Sequence, residues 1–174
     1  SDVCSSDLGM LPTPLRDRFG FTAFLEFYDQ AELSEVIQRS SSRLGISIEP
    51  AAVSELAGRS RGTPRIANRL LRRVKDFASV NKHSAISVQT VDSAMELFGV
   101  DKRGLDRVDR ELLNVLAQKF NAKPVGLSTL AVALGEEPET IEAVIEPFLI
   151  RSGFLARTQR GREITQSGIE HLAS

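Results

Sequence analysis

Cysteine is nearly absent from this chain of 174 residues: Cys4 is the only one. No internal disulfide is possible, which agrees with a reducing cytosol. Net charge is nearly absent too, at −1. A chain so balanced does not attract nucleic acid through its overall field, so any such contact must come from local patches. No apolar run approaches the roughly 18 residues of a membrane span. No basic stretch followed by an apolar one marks a secretory signal. His83 and His171 stand alone, without metal-ligand spacing, and are expected to be solvated. No Ser/His/Asp arrangement is visible. There is also no Gly-x-x-x-x-Gly-Lys-Ser/Thr loop and no apolar strand ending in paired acids. By itself the chain offers a nucleotide neither a phosphate cradle nor a magnesium site.

What is present is apolar pattern. The hydrophobic fraction is 41%, enough for real cores in one or two domains. Residues 1–8, Ser-Asp-Val-Cys-Ser-Ser-Asp-Leu, are what TCA-GAC-GTG-TGC-TCT-TCC-GAT-CT encodes, a string resembling a sequencing-library adapter. They are read as a non-native tail, with a natural polar tail as the alternative, and are left out of the fold. Between Gly9 and Gly20 two prolines favour an extended or turning chain, followed by a short helical turn over 15–19. Arg16 and Arg18 flank Asp17 there; spacing alone reads as a solvated loop with a local ion pair. The Phe-rich stretch 21–28 reads as a buried strand. For Tyr28 at its end, an interface position with the hydroxyl in water is the plain reading.

Four helices follow. Asp29-Gln30-Ala31-Glu32 is a capping-box start, with Leu33, Val36, Ile37 and Leu44 as the apolar stripe. Glu49-Pro50 opens the second, carrying Val53, Leu56 and Ala57. Thr63 is expected to cap the third, with Pro64 in its first position and Ile66, Leu70, Val74 and Phe77 on one face. Ser87 caps the fourth, with Val88, Val91, Met95 and Leu97 inward and Gly99 as the stop. A small helical bundle over 29–99 results. In the third helix Arg65 lies in the first turn, where the helix dipole disfavours a cation. Such a placement points to an anion nearby, with phosphate the obvious candidate. Arg72, Arg73 and Lys75 read as an ordinary solvated face.

Gly99 to Gly104 is polar, charged and bounded by glycines, and makes the best boundary. Beyond it, over 104–174, the pattern is that of a winged helix. An amphipathic helix spans 106–120, a short one is capped by Ser128, and a third starts at Pro138 with Ile141, Val144, Ile145, Phe148 and Leu149. Two strands, 154–158 and 162–165, flank a turn at 159–161, and a short helix ends the chain. The third helix opens with Glu136, Glu137, Glu139 and Glu142, which a phosphate backbone would repel. Base readout by that helix is therefore not expected. The hairpin carries Arg157, Arg160 and Arg162, with Gly161 for a tight tip. These three are the candidate DNA contacts, to phosphates and not to bases; a solvated hairpin is the alternative.

The run Arg61-Gly62-Thr63-Pro64-Arg65-Ile66-Ala67-Asn68-Arg69-Leu70-Leu71-Arg72-Arg73 closely resembles the sensor 2 segment of the RuvB family, AAA+ motors of Holliday-junction branch migration. The resemblance extends from Leu11 to the end and includes the Pro-Leu-Arg-x-Arg-Phe-Gly segment from Pro14. It implies a mainly α fold: an AAA+ helical lid over 29–99, then a winged-helix domain with a β-hairpin wing over 104–174. Residues 9–28 would be a remnant of the large ATPase domain, and the missing nucleotide loops a matter of truncation. The resemblance assigns Arg18 as an arginine finger acting in trans, a task suited to a planar, always-charged guanidinium. It assigns Arg65 as sensor 2 in cis and, more weakly, Tyr28 to adenine. ATP and Mg2+ are implied for the full-length parent, and neither ATP hydrolysis nor a bound cofactor for the fragment alone. Implied partners are duplex DNA and Holliday junctions, a RuvA-like junction-binding protein met through the missing domain, and a homo-hexameric ring, all cytoplasmic and without a membrane. The competing readings are a non-enzymatic winged-helix DNA-binding regulator, which gives Arg18 and Arg65 no purpose, and another AAA+ replication ATPase with a winged helix.

Overall fold

The computed structural model describes residues 13–16, 18–19 and 25–173. The tail at 1–8, Asp17, Gly20 and the first half of the expected strand, 21–24, lie outside the described residues. Helix α1 runs over Thr13–Arg16, two residues earlier than the expected turn. Pro14 accounts for the shift: a proline is tolerated in the first turn of a helix, where its missing N–H has no partner to lose. The Arg18 N–H closes the following turn on the Leu15 carbonyl at 3.2 Å. Residues 25–28 form no strand; the Tyr28 N–H bonds instead to the Gly62 carbonyl at 2.9 Å.

The first bundle comprises α2 (Gln30–Arg43), α3 (Pro50–Gly58), α4 (Pro64–Val80) and α5 (Val88–Leu97). The capping box forms as read: the Asp29 carboxylate accepts from the Glu32 N–H and Glu32 reaches back to the Asp29 N–H. Leu33, Ile37, Leu56, Leu71, Ile86, Val91 and Met95 make one core, where α2 packs on α3 and α4, and α5 closes the far side. Leu97, expected inward, is exposed. Helical rotation explains it: Val91, Ala94 and Met95 are buried, and the next position on that face is 98, where Phe98 packs. Thr63 is at the N-cap of α4, but its hydroxyl makes no capping bond. Its Oγ1 is buried without a partner.

The second core holds Leu105, Leu112, Leu113, Leu116, Leu130, Ile141, Leu149, Phe154 and Ile164. Helix α6 (Arg107–Asn114) runs on through a wide π turn at Val115–Lys119. Its start is another capping box, between Asp106 and Asp109. Helix α7 (Leu127–Leu134) begins after Gly126, not at Ser128. The chain is pinned there by a bridge between Val125 and Arg162. The third helix is α8 (Pro138–Thr140), a π turn at Ile141–Ile145 and α9 (Glu146–Arg151). Pro147 removes a helical donor, and the widened turn just before it absorbs the clash. The same turn rotates Val144 outward to 65% exposure, against expectation.

Strands β1 (Leu155–Thr158) and β2 (Gly161–Ile164) pair antiparallel, Arg157 opposite Arg162. Gly161 serves packing as well as the turn, because a Cβ there would collide with the Val125 carbonyl. Helix α10 (Gln166–Leu172) is capped by Thr165, whose hydroxyl accepts from the Gly168 N–H at 3.1 Å, and packs on α6. No helix of the described residues is long and apolar enough to cross a membrane.

Candidate functional site

The turn between α3 and α4 is where chemistry and architecture meet. Arg59 is buried, with its guanidinium on Glu55 at 2.5 Å and on Asp92 of α5. Two residues on, Arg61 has a φ of +53°. That left-handed conformation costs a non-glycine residue roughly 1 kcal/mol and persists only where surroundings enforce it. Here they do. The Arg61 guanidinium donates to the Gly104 carbonyl at 2.8 Å and to Asp109 at 2.6 Å, and lies 3.1 Å from Asp106. It also sits 4.4 Å above the Phe148 ring, a cation–π contact. Its own carbonyl accepts from Arg151 at 2.6 Å. Gly104 has to be glycine, since a Cβ would come within 2.7 Å of the Arg59 carbonyl.

Burial pushes the Asp109 carboxyl up to about 6, against the pull of the Arg61 guanidinium and the Asp106 N–H. The Arg151 guanidinium is lowered, first by burial and then by Arg61 beside it. Arg151 also lies over the Phe27 ring, 3.4 Å from its centroid. Sequence reasoning missed Arg59, Arg61, Asp109 and Arg151. The Asp106-x-x-Asp109 spacing was a visible signal for a capping box; nothing local showed that Arg61 would meet it.

The predicted site residues fall into separate places. Arg65 is exposed in the first turn of α4. That turn has proline at its head and no side-chain cap from Thr63, and the positive end of the helix dipole there suits an anion such as a phosphate. Tyr28 is half-exposed and lines a cleft with Phe27, Gln30, Gly62 and Arg151. Arg18 is exposed.

In the wing, Arg160 is exposed at the turn, where its N–H bonds to the Thr158 hydroxyl at 3.2 Å. Arg157 is half-exposed and paired with Glu142. Arg162 differs from both. Its side chain is 9% exposed and grips Glu146, itself 2% exposed, at 2.5 Å, with Glu142 at 3.3 Å. Its position in β2 turns it inward, and its charge is committed to the third helix. The acids that made that helix unfit for DNA are thus in part the wing's own anchors. His171, expected to be solvated, is half-buried: it contacts Asp101 at 2.8 Å and stacks on Phe154 at 4.8 Å.

A four-helix bundle with an arginine at the start of its third helix, followed by a winged helix with a basic hairpin, defines an AAA-type lid joined to a winged-helix domain. Family models agree: the RuvB AAA lid domain matches residues 28–101 and the RuvB C-terminal winged helix domain matches 102–173. The chain belongs to the RuvB family, of which it carries these two domains. Curated relatives named Holliday junction branch migration complex subunit RuvB include one from a Nocardioides species, 57% identical over 94% of this chain, and one from Streptomyces coelicolor, 58% identical over the same share. The chain spans 46% of the length of each. The solved Thermotoga maritima RuvB Holliday junction branch migration motor superposes with a TM-score of 0.88 at 45% identity, over 95% of this chain and 55% of that one.

Proposed function

We propose that this chain is the C-terminal part of an ATP-driven motor that moves Holliday junctions during DNA recombination and repair. The observation that carries the reading is the superposition, over 95% of the chain, on a branch migration motor. ATP with Mg2+, which the family resemblance implies for the full-length protein, would bind outside this chain, and hydrolysis of the ATP would supply the free energy. This chain contributes the residues that sense and transmit it. Arg65 binds the terminal phosphate in cis from the uncapped start of α4. Arg18 reaches the nucleotide of a neighbouring subunit, where its planar fork meets spread phosphoryl charge. In GTPases such a finger supplies roughly 10³–10⁵ in rate. Tyr28 contacts the adenine edge. Loss of the phosphate contact on hydrolysis releases α4 and lets the lid rotate.

On the DNA side, Arg160 and Arg157 meet phosphates, while Arg162 holds the wing against the third helix. Contact of this kind ignores sequence, as a motor that must travel along DNA requires. A closed head-to-tail ring, hexameric by resemblance, lets every Arg18 find a neighbour; a RuvA-like protein would bring the ring to the junction. The test is ATPase activity of the full-length protein with wild-type and Arg18→Ala subunits mixed in varying ratios. Activity should fall faster than the wild-type fraction while nucleotide binding survives. Full activity of pure Arg18→Ala would remove the finger and with it the ring-motor reading.

A further inference from the structure

Arg61 is gripped at both ends by the winged-helix side of the molecule. Asp109 and Asp106 hold its guanidinium, Phe148 supports the plane of that group, and Arg151 holds its carbonyl. Only Gly62, Thr63 and Pro64 separate Arg61 from the exposed Arg65, and Arg61 itself lies inside a tight turn, 60–63, closed by the Thr63 N–H on the Ser60 carbonyl at 3.1 Å. Such a turn transmits a change at Arg61 to the first turn of α4. Gly62 is constrained as well, since its carbonyl takes the Tyr28 N–H. The lid's own core does not require this arrangement, because no bond to Arg61's guanidinium comes from α2 to α5 among the described residues.

We propose that Asp109 and Arg151 are positioning residues for the nucleotide site: from the DNA-binding domain they fix Arg61 in its left-handed turn and so set the direction of Arg65. The inference rests on reading Arg65 as a phosphate ligand. Its consequence is a two-way link. Nucleotide at Arg65 favours the clasped arrangement of the two domains, and whatever loosens the clasp weakens the nucleotide by the same factor.

The test is a double-mutant cycle in the full-length protein, read as affinity for a fluorescent ATP analogue. Arg65→Ala should weaken binding, and Asp109→Asn should weaken it by at least about fivefold, the lower end of ordinary coupling. Asparagine keeps an oxygen for the Asp106 N–H while removing the charge that holds Arg61. In the Arg65→Ala background Asp109→Asn should change nothing further, an outcome that general loss of structure would not produce. Arg151→Gln, at a more exposed position, repeats the cycle should Asp109→Asn fail to fold. If Arg65→Ala leaves affinity unchanged, the phosphate reading falls and takes the inference with it. If Arg65→Ala weakens binding while both positioning variants are silent, or add in full on top of it, the inference alone is overturned.

Discussion

Two stretches of this chain carry closely spaced arginines: Arg59, Arg61 and Arg65 around the start of α4, and Arg157, Arg160 and Arg162 in the wing. The structure divides both sets in the same way. Arg59, Arg61 and Arg162 turn inward onto Asp92, Asp109 and Glu146. Arg65 and Arg160 are exposed, and Arg157 stands between, half-exposed on Glu142. The inward members differ in what they join. Arg162 ties a hairpin to the helix beside it within one domain, while Arg61 ties one domain to the other. A basic residue therefore signals a ligand only after its acids have been located. Where a buried carboxylate takes up the charge, the arginine is part of the scaffold that presents its neighbours.

The comparison is most easily broken at Arg162. Arg162→Met leaves Glu146 buried without its cation, and breaking a buried pair on one side costs about 3–5 kcal/mol. The winged-helix domain should lose that much in denaturant unfolding; a change below about 0.5 kcal/mol would mean the pair is not structural.

At the other stretch the expected effect is smaller and depends on pH. The Asp109 carboxyl lies at about 6 in the folded chain against an ordinary 3.8. Between those values the folded state holds a proton that the unfolded state has released. Linkage then makes this group's contribution to stability fall as pH rises from about 4 to about 6, by up to about 3 kcal/mol. Above that range the cost is fully present; below it the cost is gone. Unfolding free energies across this range should show that slope in the wild type and a flatter one in Asp109→Asn. Parallel curves would remove Asp109 as the source.

The smallest stability effect belongs to Arg160→Ala. As an exposed turn residue its loss should stay within about 0.5 kcal/mol in the same unfolding assay.

Much of this was legible in the sequence. The Asp29-x-x-Glu32 box, the glycine stops and the 3.6-residue apolar rhythm are local signals, and they locate the four lid helices. The alternating residues around Gln159-Arg160-Gly161 locate the wing to within a residue. Where reading failed, the cause lay elsewhere in the chain. Val144 is thrown outward by the π turn that accommodates Pro147. The start of α7 is set by the bridge from Val125 to Arg162. The partners of Arg61 lie more than forty residues downstream, and those of Arg162 on the third helix, where Glu142 was read as hostile to DNA and Glu146 was not singled out. Spacing predicts what one element does alone; which charges meet is decided by packing between elements.

The most direct measurement is the salt dependence of duplex DNA binding by the full-length protein, for wild type, Arg160→Ala and Arg162→Met, well below the unfolding midpoint of each. An exposed arginine on a phosphate contributes about one unit to the slope of log affinity against log salt, and one committed to a buried carboxylate contributes none. The slope should therefore drop by about one for Arg160→Ala and stay at the wild-type value for Arg162→Met. An unchanged slope in Arg160→Ala, or an equal drop in Arg162→Met, would contradict the division of these arginines into ligand and scaffold.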